Sequence, residues 1–78
     1  GNPEFGGGLR DFIFSQINQQ STEFLKEDIQ SKISREFPNV DVQELNVTNN
    51  PDNNEVSVAI FYAIIDTNIE DEVTLNFA

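Results

Sequence analysis

Proline at position 38 separates two hydrophobic periods, and that switch constrains the fold more than any other feature of the sequence. Before it, Leu25, Ile29, Ile33 and Phe37 recur every four residues, the spacing of one apolar helix face. Glu23, Lys26, Glu27, Gln30 and Lys32 fall largely on other faces. Ser21 or Thr22 offers an N-cap oxygen, and Glu23 lies near the positive end of the helix. A helix is therefore predicted from Thr22 to Phe37, stopped by Pro38 because proline disfavours α geometry in the residue before it.

Beyond Pro38 the period falls to two. Val40 and Val42 alternate, and Leu45 and Val47 alternate on the opposite parity, which predicts a bulge near Gln43 and Glu44. The run NNPDNN at 49–54 is a turn signal. Val56, Val58, Ile60, Tyr62 and Ile64 form one apolar face. The other face of the same strand, Ser57, Ala59, Phe61, Ala63 and Ile65, is mostly apolar too, as expected of a central strand. A second turn is read at 66–71, and Val73, Leu75 and Phe77 alternate with Glu72, Thr74 and Asn76 as a third strand. Connections this short cannot carry parallel crossovers, so the strands form an antiparallel meander with the helix on one face.

At the N-terminal end, residues 1–8 read as a Pro/Gly-rich segment, and Gly6, Gly7 and Gly8 predict a compact turn or hinge. Leu9, Phe12, Ile13 and Phe14 suit a short helix, followed by a polar connection at 15–20. The fold class expected is α+β, with a short N-terminal helix and one long amphipathic helix on a three-stranded antiparallel meander.

With 78 residues the chain is expected to form a single domain, residues 1–78, closing one hydrophobic core. An apolar fraction of 37% with seven Phe leaves a thin stability margin, so an assembly partner is expected to supply part of it. The net charge is −10, with fourteen acidic residues against Arg10, Lys26, Lys32 and Arg35. Such a balance repels phosphate backbones and anionic membranes, which argues against nucleic-acid and lipid partners. The absence of Cys and His removes disulfides, thiolate nucleophiles, imidazole acid/base chemistry and the usual zinc ligands. No apolar run reaches the roughly 20 residues of a membrane span, and residues 1–8 do not resemble a signal peptide. The sequence has no methionine, so the native protein is expected to continue N-terminally of Gly1.

Three possible sites compete with plainer structural roles. Phe5 and the glycines after it could present amides to an anion, but no Lys-Ser/Thr follows to complete a phosphate loop. Asp52, Asn54 and Glu55 offer oxygen ligands, yet the run lacks the glycine and distant Glu of a calcium-binding EF-hand loop. Glu36, Asp41 and Glu44 are carboxylates of the kind glycoside hydrolysis uses in pairs. Among fourteen acids some pair will fall at that separation by chance, and nothing marks these three out from solvated surface. No catalytic residue, cofactor, metal or small-molecule substrate is expected. Phe61 and Ile65, on the second apolar face of the central strand, suggest a protein contact.

Two stretches carry a resemblance: PEFGGGLRDFIF at 3–14, with Pro3, Glu4, Phe5, Gly6, Gly8 and Leu9 as its motif, and EFPNVDV at 36–42 with the meander after it. Together they resemble the baseplate wedge family of contractile-tailed phages, known as protein W or tail lysozyme-like proteins, over essentially the whole chain. The resemblance implies a structural protein of the virion tail baseplate, assembled in the host cytoplasm, that binds wedge neighbours and templates the first ring of tail sheath. Where many members close the long helix with Glu-Pro-Arg, this chain has Phe37, Pro38 and Asn39, keeping only the proline; Arg35 and Glu36 lie close enough to replace the ionic contact. Partner contacts are thus expected at Phe37, Pro38 and Asn39, and along the third strand at Val73, Thr74, Leu75 and Asn76. The same superfamily implies a rival, an anti-adapter-like regulatory binding module; a cell-wall lysozyme is the third reading.

Overall fold

A computed structural model describes residues 3–19, 21–50, 52 and 55–77, with side chains described from Gly8 onward. The architecture is α+β: two helices followed by a three-stranded antiparallel sheet. The chain divides into two compact units, Gly1–Pro38 and Asn39–Ala78.

In the first unit, α1 spans Pro3–Gln16 and α2 spans Thr22–Glu36. The first helix corrects the sequence expectation. It is 14 residues long, almost the length of the 15-residue α2, and the glycines predicted to form a turn or hinge lie inside it. No described glycine has positive φ. Proline at the first helical position explains the early start, because its missing N–H belongs to the set that a helix leaves unbonded anyway. Each internal glycine costs about 1 kcal/mol relative to alanine, and the burial of Leu9 and Ile13 one turn further on offsets part of that. Phe14, grouped with those two from the sequence, is instead 64% exposed, one position round from Ile13. The helix also extends past the predicted end, with Ser15 Oγ donating to the Phe12 carbonyl at 2.6 Å.

The second helix follows its sequence pattern closely. Ser21 is the N-cap, its Oγ accepting from the Phe24 amide at 3.5 Å. Leu25, Ile29 and Ile33 are buried, as their spacing requires. The helix ends at Glu36; Phe37 is its C-cap, off helical geometry at φ −132° and ψ 69°, its amide still donating to the Ile33 carbonyl at 2.8 Å. The two helices touch each other, and the Lys32 ammonium stands 5.0 Å from the centre of the Phe12 ring, within cation–π range.

In the second unit, β1 spans Val40–Asn50, β2 Glu55–Ile64 and β3 Glu70–Phe77, in the order β1-β2-β3. Both predicted turns are shorter than expected. Asn49 and Asn50 pair with Val56 and Glu55, so the first connection covers only 51–54, and Glu70 and Asp71 already pair with Ala63 and Tyr62. The second turn is held by Thr67, whose Oγ1 donates to the Ile64 carbonyl at 2.7 Å and accepts from the Ile69 amide at 3.1 Å. Asp66 takes the left-handed conformation there, φ 65°, which Asp tolerates better than most side chains.

The predicted bulge is present between Val42 and Glu44. Val42 faces Tyr62 and Leu45 faces Ile60, so leaving Gln43 out of the pairing keeps Val40, Val42, Leu45 and Val47 on one face despite their change of parity. Val58, Ile60, Leu45, Leu75 and Phe77 are buried on that face.

Candidate functional site

Hydrogen bonds at one end of β2 fix which backbone groups the sheet leaves open. The Ile65 amide donates to the Asn39 carbonyl at 2.9 Å, toward β1, and the Ile64 amide donates to the Ile69 carbonyl at 3.0 Å, toward β3. Alternation along an antiparallel ladder then points the odd residues of β2 toward β1 and the even ones toward β3. Through the observed register, Asp71, Val73, Leu75 and Phe77 turn their amides and carbonyls inward to β2, whereas Glu70, Glu72, Thr74 and Asn76 turn theirs outward to the edge.

Of the four third-strand residues singled out from the sequence, Thr74 and Asn76 therefore present backbone to the open edge. Val73 and Leu75 do not, and the Leu75 side chain is buried. The edge is not uniform. Its first half carries Glu70, Asp71 and Glu72, and the Glu72 amide already donates to Asp71 Oδ1 at 2.8 Å; charge and a self-satisfied donor are standard protections of a strand edge. The half from Val73 to Phe77 has no charged residue. Thr74 Oγ1 and Glu72 Oε2 lie 3.5 Å apart, and Ser57 Oγ donates to Asn76 Oδ1 at 2.6 Å on the outer face of the sheet.

The other edge is β1. Asp41, Glu44, Asn46 and Thr48 pair with odd residues of β2 and point their backbone inward, so Val42, Leu45, Val47 and Asn49 face outward. Its bulge and its two carboxylates disfavour strand addition over Val40 to Glu44, while Leu45 to Asn50 carries no charge.

Within the first unit, Gly8, Leu9 and Phe37 come together with Lys32 and Glu36 around a depression of about 240 Å³, below the roughly 300 to 1,000 Å³ typical of small-molecule sites. Parts of the two resembling stretches thus meet in space. Pro38 and Asn39 are exposed, and the Asn39 carbonyl is used by Ile65. Glu36, expected to replace a missing ionic contact, forms an i,i+4 ion pair with Lys32. Arg35 lies on a broad polar surface with Glu27, Gln30, Ser31 and Ser34, all from α2; residues of one helix make an outer face, not a cleft. Pro3, Glu4, Phe5 and Gly6 lie within α1, but their side chains fall outside the described residues, as does Asn54 of the oxygen-rich turn.

Among the described residues, no group of three or more acidic side chains is placed to hold a metal ion, and no helix is long and apolar enough to cross a membrane. Comparison of the chain with protein-family models, curated proteins and solved structures finds no match in any of the three.

Proposed function

We propose that this chain is a structural component of a contractile phage-type tail baseplate, joining wedge neighbours and sheath by strand addition along β3. The observation that carries the reading is the uncharged outer half of β3, where Thr74 turns its amide and carbonyl to an open edge. An extended segment from a partner can continue the sheet there, main-chain hydrogen bonds supplying affinity and side-chain fit supplying choice of partner. The resemblance of residues 3–14 and 36–42 to the wedge family supports the setting: the virion baseplate, assembled in the host cytoplasm. Phe37, Pro38 and Asn39 are a secondary contact in this reading. The finer fold expectation, a long amphipathic helix packed on the meander, belongs to the same proposal and rests on the spacing of Leu25, Ile29 and Ile33 and the apolar column Val56 to Ile64. The reading assigns the chain no catalytic step, cofactor or small-molecule substrate.

Thr74→Pro tests it, because proline removes an outward donor without breaking a β2–β3 hydrogen bond. Folded variant protein is expected to fail in initiating sheath assembly on baseplates. The control is Asn49→Pro, at an outward position of β1; Asn46, in the same row as Thr74, turns its amide to β2 and would break the ladder. Normal initiation by Thr74→Pro with failure of Asn49→Pro would move the contact to β1, and normal initiation by both would end the strand-addition reading.

A further inference from the structure

Charge is divided unequally along the chain. All four Lys and Arg residues precede Pro38, whereas residues 39–78 hold eight carboxylates and no cation. The sheet places half of those carboxylates together. On its outer face, Glu44 and Glu72 lie directly across from Phe61 on either side, and Asp41 and Glu70 flank Ala63 in the same way. Directly opposed residues on one face have Cβ atoms about 5 Å apart, so Phe61 and Ala63 form a narrow apolar strip framed by acid. All four carboxylates are exposed, and Ile65, continuing the strip, is 49% exposed. The next two rows of the same face, Asn46–Ala59–Thr74 and Thr48–Ser57–Asn76, are uncharged. Beyond them the row Asn50–Glu55 carries a single carboxylate, so the paired carboxylates are gathered at one end of the face, around its one aromatic ring.

We infer that this end of the sheet face is a docking surface for an arginine-bearing segment of a partner protein, one guanidinium stacking on Phe61 between Glu44 and Glu72. Arginine fits both elements at once: its planar group stacks on an aromatic face while its N–H fork bonds carboxylates. Charge complementarity decides the occupant. A second copy would bring either the same uncompensated acid or, from residues 1–38, six carboxylates against four cations; nucleic acid would be repelled, and the carboxylates do not form a metal-holding group. Glu44 accepts from Asn46 Nδ2 at 2.7 Å, which leaves acceptor sites on both its oxygens. The inference concerns the face of the sheet and not its β3 edge, so it stands or falls separately from the proposed tail function.

The test is an NMR titration of the full chain with an eight-residue peptide alternating Arg and Ala, using a Glu–Ala peptide as control. Shifts are expected at Glu44, Phe61, Ala63 and Glu72, with little change on α2. Glu44→Gln with Glu72→Gln should weaken binding about tenfold and Phe61→Leu about threefold, whereas Asp52→Asn, a carboxylate off this face, should change it less than twofold. Equal losses from Asp52→Asn and from the face variants, or shifts spread over every acidic residue, would reduce the effect to bulk charge and overturn the inference. So would saturating calcium-induced shifts on this face, which would make it a cation site, or shifts that grow with protein concentration alone, which would give it to a second copy.

Discussion

Gly8 shows how a residue can mislead when read by itself. Three glycines in a row suggest a hinge, yet the backbone there is helical, with φ negative, and a Cβ built on Gly8 meets no atom within 4 Å. Gly8→Ala should therefore stabilise the protein by about 0.5 to 1 kcal/mol, read from the denaturant midpoint; a loss of stability would show that the position needs glycine. Ile29 presents the opposite case, since its burial follows directly from the four-residue spacing around it and its exposure is 0%. Ile29→Ala is expected to cost roughly 2 to 5 kcal/mol, a large share of a total stability of about 5 to 15 kcal/mol. A change under about 0.5 kcal/mol would mean that the site collapses freely around the lost atoms. Spacing exposes such core positions because burial repeats with the helix; a glycine's conformation leaves no comparable trace, since glycine fits a hinge and a helix alike.

The elements after Pro38 were legible because each strand alternates and the bulge changes parity where Val42 gives way to Leu45. Their ends were not. Asn49, Asn50 and Asp71 are turn-forming residue types and Glu70 lies beside one, and ladder hydrogen bonds outweigh that local preference once the neighbouring strand is in place. The same ladder decided which residues of β3 face the edge: the sequence grouped Val73, Thr74, Leu75 and Asn76 together, but only the direction of the Ile64 and Ile65 hydrogen bonds separates inward from outward groups. The bulge offers a test at this scale. Deleting Gln43 would remove the bulge and the change of parity together, leaving Val40, Val42, Leu45 and Val47 on one face of a straighter β1. The midpoint of chemical denaturation should therefore move by less than about 1 kcal/mol, and a loss above about 3 kcal/mol would show that the pairing without Gln43 does not keep that facing.

For the molecule as a whole, the charge split at Pro38 is the feature that composition alone conceals. A net −10 reads as a uniformly acidic protein, but residues 1–38 set four cations against six carboxylates, with Lys32 paired to Glu36, while residues 39–78 have eight carboxylates and no cation. The sheet accordingly offers two different surfaces to partners, an uncharged half-edge for a strand and an acidic face for a cation-bearing segment. The proposed function depends on the first. Cryo-electron microscopy of an intact contractile particle carrying this chain tests that dependence most directly: the account predicts density for a partner strand paired along Thr74 to Phe77 at the baseplate, and a chain absent from the baseplate, or seated there with the β3 edge open to solvent, would contradict it.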